Sequence, residues 1–312
     1  MQNTASKIVV LGTGGTLAGT ASDPGDNVGY RAAQIGIAAL VEGIPALAGV
    51  ALQTEQVAQL DSKDMGYAVW RRLAARVAHH LERSEVTGVV ITHGTDTLEE
   101  TAYLLQRVLA PSKPVVLTAA MRPASALLSD GPQNLLDAVR VARHPGAQGV
   151  VAVLAGRIHG ALDVRKVHTY RVDAFGSGDA GALGAIEEGV LTLWRPWPDG
   201  EALGPAVLAR EKPPRVAIVT SHADADGSVV DALRVHGIDG IVVAGTGNGT
   251  LHHGLEAALL RAREEGGIQV LRCSRVARGS VVPTGHDAFE SAGSLTPAQA
   301  RVEMLLRLLS AA

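Results

Sequence analysis

The 312-residue chain carries a formal net charge of −3 and no block of basic residues, so it lacks the phosphate-neutralising surface that sequence-independent nucleic-acid binding requires. Hydrophobic residues make up 46% and charged residues 19%, a globular balance, and no apolar run reaches the ~20 residues needed to cross a bilayer. Cys273 is the single cysteine, which excludes an intrachain disulfide and a cysteine-based zinc centre. The first residues lead directly into a strand, with no pattern of a secretory leader, and the expected location is the cytoplasm.

The first apolar run, Ile8–Leu11, reads as a strand buried on both faces. Gly12, Gly14 and Gly15 follow it and bring Thr16 to the carboxyl edge, where open α/β sheets bind ligands. A dinucleotide fingerprint fails there, since its third glycine falls on Leu17 and no acidic residue follows about 20 positions on. The Walker pattern is also absent, so no nucleotide cofactor is implied. What remains is a glycine-flanked threonine suited to a nucleophile. Residues 17–33 are rich in Gly, Asp, Asn and Pro and read as a lid, with Tyr30 near its end. Residues 34–45 show helical spacing, and Val50–Thr54 reads as a second strand.

Met65, Val69, Leu73, Val77 and Leu81 mark an amphipathic helix. Asp61-Ser62-Lys63-Asp64 precedes it; Asp64 suits a helix cap, while Ser62 and Lys63 face the sheet edge. Val86–Thr92 is a third buried strand, ending in His93-Gly94-Thr95-Asp96-Thr97, and a helix runs on to about Leu109. Thr97 and Glu100 have capping-box spacing, which puts Thr95 and Asp96 between a strand end and a helix N-terminus. This is a second hydroxyl loop at the edge that holds Thr16, now with a carboxylate beside it. Pro114–Thr118 and Gly149–Leu154 read as strands, and a helix starts at Asp130-Gly131-Pro132. Residues 156–180 read as irregular; Lys166 gains a role if it folds back beside Thr95 and Asp96.

The proline-rich stretch 195–214 reads as a linker between residues 1–194 and 215–312. The second part repeats the alternation: strand 215–219, helix 228–236, strand 240–244, a Gly245–Gly249 turn, helix 251–265, strand 268–272 and helix 297–309. The fold class is therefore α/β, a large N-terminal domain with a mostly parallel sheet plus a smaller C-terminal α/β domain. His79-His80 and His252-His253 are helix neighbours that do not share a face, His-Glu-x-x-His is absent, and no metal is expected. Gly-x-Ser-x-Gly is absent as well.

Thr13-Gly14-Gly15-Thr16-Leu17-Ala18-Gly19 and Ile91-Thr92-His93-Gly94-Thr95-Asp96-Thr97-Leu98-Glu99-Glu100 resemble the two signature segments of the bacterial-type L-asparaginase family. The resemblance continues in order through Asp61–Met65, Ala120–Pro123, Asp130–Pro132, Asp163-Val164 with Lys166, and Gly247-Asn248-Gly249. It implies that Thr16 attacks a side-chain amide with Tyr30 beside it, and that Thr95, Lys166 and Asp96 form a second reactive set. It also implies that Asp96 and Ser62 hold the substrate's ammonium and carboxylate, and that Asn248 arrives from a neighbouring subunit of a homotetramer. The implied reaction is hydrolysis of L-asparagine through an acyl-threonine, without a cofactor. Lys63 departs from the glutamine or short polar residue of relatives, and Gly279–Ala292 is shortened, leaving Glu290 a poor counterpart for the family's partner-subunit glutamate. The alternatives are a glutaminase-asparaginase, an amidase of a larger amide such as one on tRNA, a nucleotide-dependent oxidoreductase, and an amino-acid sensor without catalysis.

Overall fold

The computed structural model describes residues 6–311, so the stretch preceding Ser6 and the final residue lie outside the described residues. The chain divides into two compact units that meet between Ala206 and Val207.

The first unit opens with five strands: β1 (Lys7–Gly14), β2 (Leu52–Leu60), β3 (Val86–Thr92), β4 (Val115–Thr118) and β5 (Val150–Leu154). Neighbours among them run parallel, in the order β5-β4-β3-β1-β2. The connecting helices are α1 (Ile37–Glu42), α2 (Tyr67–Leu81), α3 (Leu98–Leu109) and α4 (Gly131–Ala142). The apolar runs Ile8–Leu11 in β1, Val89–Ile91 in β3, Val115–Leu117 in β4 and Val150–Leu154 in β5 are buried throughout, as a sheet covered on both faces demands. Residues 156–180 are more ordered than their polarity suggests. They hold β6 (Arg157–Gly160), β7 (Arg165–Lys166) and β8 (Phe175–Gly176). β6 turns back antiparallel on β5, then β9 (Gly184–Glu187) and β10 (Val190–Leu193) extend that edge. These short strands have little apolar alternation, which hid them in the sequence.

Several helix boundaries differ from expectation. Helix 34–45 is shorter, because Gly36 and Gly43 bound α1 and Pro45 starts a separate 3-10 turn. The helix marked by Met65 begins at Tyr67. Ser62–Asp64 instead form a 3-10 turn capped by Asp61, whose side chain accepts the Lys63 N–H, and Asp64 caps nothing at α2. The capping box at Thr97 is absent: Thr97 is the N-cap of α3 but makes no cap bond, and its hydroxyl donates to the Ser62 carbonyl at 2.8 Å.

The second unit is a four-stranded parallel sheet of β11 (Val216–Thr220), β12 (Gly240–Gly245), β13 (Gln269–Ser274) and β14 (Glu290–Ser291). Helices α5 (Ser228–Val235), α6 (His253–Gly266) and α7 (Pro297–Ser310) accompany it. α7 starts with a complete capping box from Thr296 and Gln299. Cys273 is buried in β13, and burial pushes its thiol up to about 12, so it packs as a small apolar side chain.

Candidate active site

The strand order places β1 between β2 and β3, so the connection after β1 runs toward one edge, to β2, and the connection after β3 runs toward the other, to β4. The crevice outside the carboxyl ends of β1 and β3 is therefore a topological switch point, the usual ligand position in such sheets. The loops after these two strands carry Thr16 and Thr95. The strand ends are tied there by Thr13 Oγ1, which donates to the Thr92 carbonyl at 2.9 Å.

Two glycines then let the loops touch. Gly15 adopts φ +82° and ψ −173°, a region essentially closed to other residues. A Cβ on it would stand 2.5 Å from the Gly94 Cα and N atoms. A Cβ on Gly94 would collide with the Ser62 hydroxyl. Thr16 and Thr95 thus follow directly from two backbones in contact, and each is buried to 6% exposure.

Thr16 starts a 3-10 turn (Thr16–Ala18), and its Oγ1 lies 2.5 Å from the Tyr30 hydroxyl. Tyr30 is delivered by the lid, whose base is closed by paired backbone bonds of 2.9 Å between Thr20 and Arg31. On the other loop, Lys166 Nζ donates to Thr95 Oγ1 at 2.9 Å and to Asp96 Oδ1 at 2.7 Å. The Lys166 backbone N–H donates to Glu99 Oε2 at 2.8 Å, so the first turn of α3 anchors the strand that carries this amine. With Lys166 filling one lone pair of Thr95 Oγ1, the Thr95 proton is left to donate elsewhere. Ser62 is buried at 1% and buttresses the loop, since its Oγ accepts the Asp96 N–H at 3.1 Å.

Behind the loop lies a chain the sequence reading left unused. Trp70 Nε1 donates to Thr101 Oγ1 at 2.8 Å, Thr101 Oγ1 lies 2.9 Å from His93 Nε2, and His93 Nδ1 lies 2.7 Å from the Gly94 carbonyl. Complete burial pushes the His93 imidazole down to about 4. Its sequence signal is a histidine at a strand end with no metal-ligand spacing around it. Glu99 had a signal too, an acidic residue one helical turn after Asp96.

The remaining expected residues lie as follows. Lys63 is solvent-exposed and paired with Asp61 at 2.8 Å, and this partner raises its ammonium above the ordinary lysine value. Asn248 belongs to the second unit, where its amide donates to the Val282 carbonyl and accepts the Val282 N–H, both at 2.8 Å. Glu290 pairs with Arg307 at 2.8 Å. Among the described residues there is no group of three or more side chains able to hold a metal ion.

A two-unit α/β chain with facing threonine loops at a switch point has the makings of an enzyme that acts on a small polar substrate, and comparison with known proteins gives its class. The "Asparaginase, N-terminal" family matches residues 7–198 and the "Glutaminase/Asparaginase C-terminal domain" family matches residues 215–311. L-asparaginase 2 of Bacillus subtilis is 34% identical over 310 residues, covering 96% of this chain and 82% of that protein. A glutaminase-asparaginase of Pseudomonas fluorescens is 34% identical over 318 residues, covering 97% and 86%. The crystal structure of a probable cytoplasmic L-asparaginase from Campylobacter jejuni superposes with a TM-score of 0.91 at 38% identity, covering 97% of this chain and 95% of that one. The class is that of hydrolases acting on linear amides. The chain belongs to the asparaginase family.

Proposed function

We propose that this protein hydrolyses the side-chain amide of L-asparagine to L-aspartate and ammonia, with Thr16 as the nucleophile. The observation that carries the reading is the contact of the Gly15 and Gly94 backbones, which puts a tyrosine-paired threonine beside a lysine-paired one. An alcohol needs a partner to take its proton, and the Tyr30 oxygen at 2.5 Å is in reach of the Thr16 hydroxyl. Attack of Thr16 Oγ1 on the amide carbon forms a tetrahedral centre, and backbone N–H groups of the two loops meet the charge on its oxygen. Collapse breaks the C–N bond, and the proton lost by Thr16 reaches the departing nitrogen through the Tyr30 hydroxyl, which gives up its own proton as it accepts that one, and through the Thr95, Lys166 and Asp96 set, so that ammonia leaves with it. Water then attacks the acyl-threonine and frees aspartate. Asp96, half exposed, and Ser62 hold the substrate's ammonium and carboxylate, with Lys63 at the rim.

Stretch 195–214 serves as the linker, and the assembly is a cytoplasmic homotetramer with Asn248 presented to a neighbouring subunit. The Campylobacter relative, named a probable cytoplasmic L-asparaginase, supports the location. Sedimentation and cell fractionation test these two points; a monomer or a periplasmic protein refutes them. A second reading, equal use of L-glutamine, is favoured by the Pseudomonas relative. Ammonia release from L-asparagine, L-glutamine and larger amides separates the readings. Thr16→Ala and Thr95→Ala should each lower turnover by orders of magnitude while folding survives, and unchanged rates in both refute the mechanism.

A further inference from the structure

The fully buried His93 takes no part in the mechanism above, yet every bond around it is directional. The Gly94 carbonyl only accepts, so Nδ1 carries the ring proton. Burial keeps the ring neutral, so Nε2 is bare and accepts from the Thr101 hydroxyl, whose oxygen in turn accepts from Trp70 Nε1–H. The chain is satisfied in one direction only, and it fixes the tautomer.

Its end point is the Gly94 carbonyl. No cis peptide occurs among the described residues, so the Gly94 C=O and the Thr95 N–H point in opposite directions across one rigid plane. Pinning the carbonyl onto His93 turns the Thr95 N–H away from the protein interior. Among the described residues this N–H donates to no protein group, whereas the next one, of Asp96, is taken by Ser62. A flexible glycine at position 94 leaves the plane free to rotate unless something holds it.

We propose that His93 is a positioning residue that aims the Thr95 N–H at the oxygen of the reacting carboxamide by locking the Gly94–Thr95 peptide plane. The inference rests on the amide-hydrolase reading and deepens it. A donor to the developing oxyanion acts in the transition state, so its misalignment lowers kcat and leaves KM nearly unchanged.

The test compares three variants of the full-length protein with L-asparagine as the probe, each checked for folding by circular dichroism and thermal melting. His93→Asn places a side-chain N–H near the position of Nδ1–H. His93→Gln places one nearer Nε2 and leaves the carbonyl unlocked. His93→Gln should lose about 10²–10³-fold in kcat, the scale of one misplaced oxyanion donor, with KM within about threefold. His93→Asn should recover most of that loss. Wild-type kcat in His93→Gln, equal impairment of both variants, or a loss carried by KM overturns the inference. Thr101→Val, read together with the ring-nitrogen NMR signals of the unsubstituted protein, decides the matter where His93 variants do not fold. The unsubstituted protein should show Nδ1 protonated and Nε2 bare, and Thr101→Val should lower kcat with KM unchanged. A protonated Nε2, or wild-type kcat in Thr101→Val, overturns it. An unsubstituted protein inactive on every amide refutes the functional reading instead, a result distinct from full activity in His93→Gln.

Discussion

Replacing Gly15 by alanine tests the contact on which the site is built. The added Cβ meets only backbone: Gly94 Cα and N at 2.5 Å and the His93 carbonyl at 2.7 Å. Ordinary contact for such atoms begins near 3.4 Å. The two loops must therefore separate by roughly 1 Å, a displacement that from positioning alone costs about 10²-fold in rate. The φ of +82° adds backbone strain of about 1–3 kcal/mol to an overpacking cost of about 1–3 kcal/mol. A stability loss of about 2–6 kcal/mol lowers the melting temperature by roughly 4–24 °C for a unit of this size. Gly94→Ala is the informative contrast. Its Cβ meets the Ser62 hydroxyl, which can turn aside but then abandons the Asp96 N–H, and the Ser62 Cβ at 2.7 Å, which moves only with its backbone. That variant should lose activity comparably, and stability less by the positive-φ strain that only Gly15 carries, about 1–3 kcal/mol. Ammonia release and thermal melting of both proteins check the pair. A Gly15→Ala protein with wild-type turnover, or one that melts above Gly94→Ala, refutes the reasoning.

Lys166→Met removes the amine from both Thr95 and Asp96 and should reduce kcat by about 10²–10⁴-fold, the usual scale for a lost proton-transfer group; steady-state kinetics decide it, and a loss below tenfold excludes Lys166 from proton transfer. A second prediction concerns acid stability. Arg76 grips Glu55 at 2.6 and 2.9 Å and His80 lies 2.7 Å away, so the Glu55 carboxyl is held at about 2 against an ordinary 4.5. A carboxyl whose folded value is depressed binds fewer protons than in the unfolded chain. Its stabilisation is thus complete above about 4.5 and is lost as pH falls toward 2. Allowing for its partial exposure, Glu55→Gln should cost about 1–2 kcal/mol at neutral pH and little once pH falls to about 2, read from denaturant unfolding at several pH values. A cost independent of pH refutes the assignment.

Much of the architecture was legible because buried parallel strands announce themselves. Ile8–Leu11, Val89–Ile91 and Val150–Leu154 are continuous apolar runs stopped by glycine or a polar loop, and each lies in a strand. The short edge strands β6, β9 and β10 were not legible, since partial burial leaves no such run. The capping box at Thr97 failed for a different reason. Its hydroxyl has a better use in holding the Ser62 carbonyl, a partner remote in sequence.

The site divides along the same line. That Thr16 and Thr95 stand at the edge of the sheet follows from local pattern, because each ends a buried strand at a glycine-rich turn. That they stand together depends on strand order, which sets β1 beside β3, and on Gly15 and Gly94 having no side chains to keep the loops apart. Lys166 needed a two-residue strand and the Glu99 carboxylate to hold its backbone, neither of which leaves a periodic trace. His93 needed Thr101 and Trp70, contributed by two different helices. In each case the residue type was visible and its partner was not, because hydrogen bonds across a sheet edge pair positions that no local period connects. Chemistry in this fold is thus encoded twice: hydroxyls, amine and carboxylate as residue types at strand ends, and their alignment as glycines and buried polar side chains whose only local mark is the absence of any better structural use.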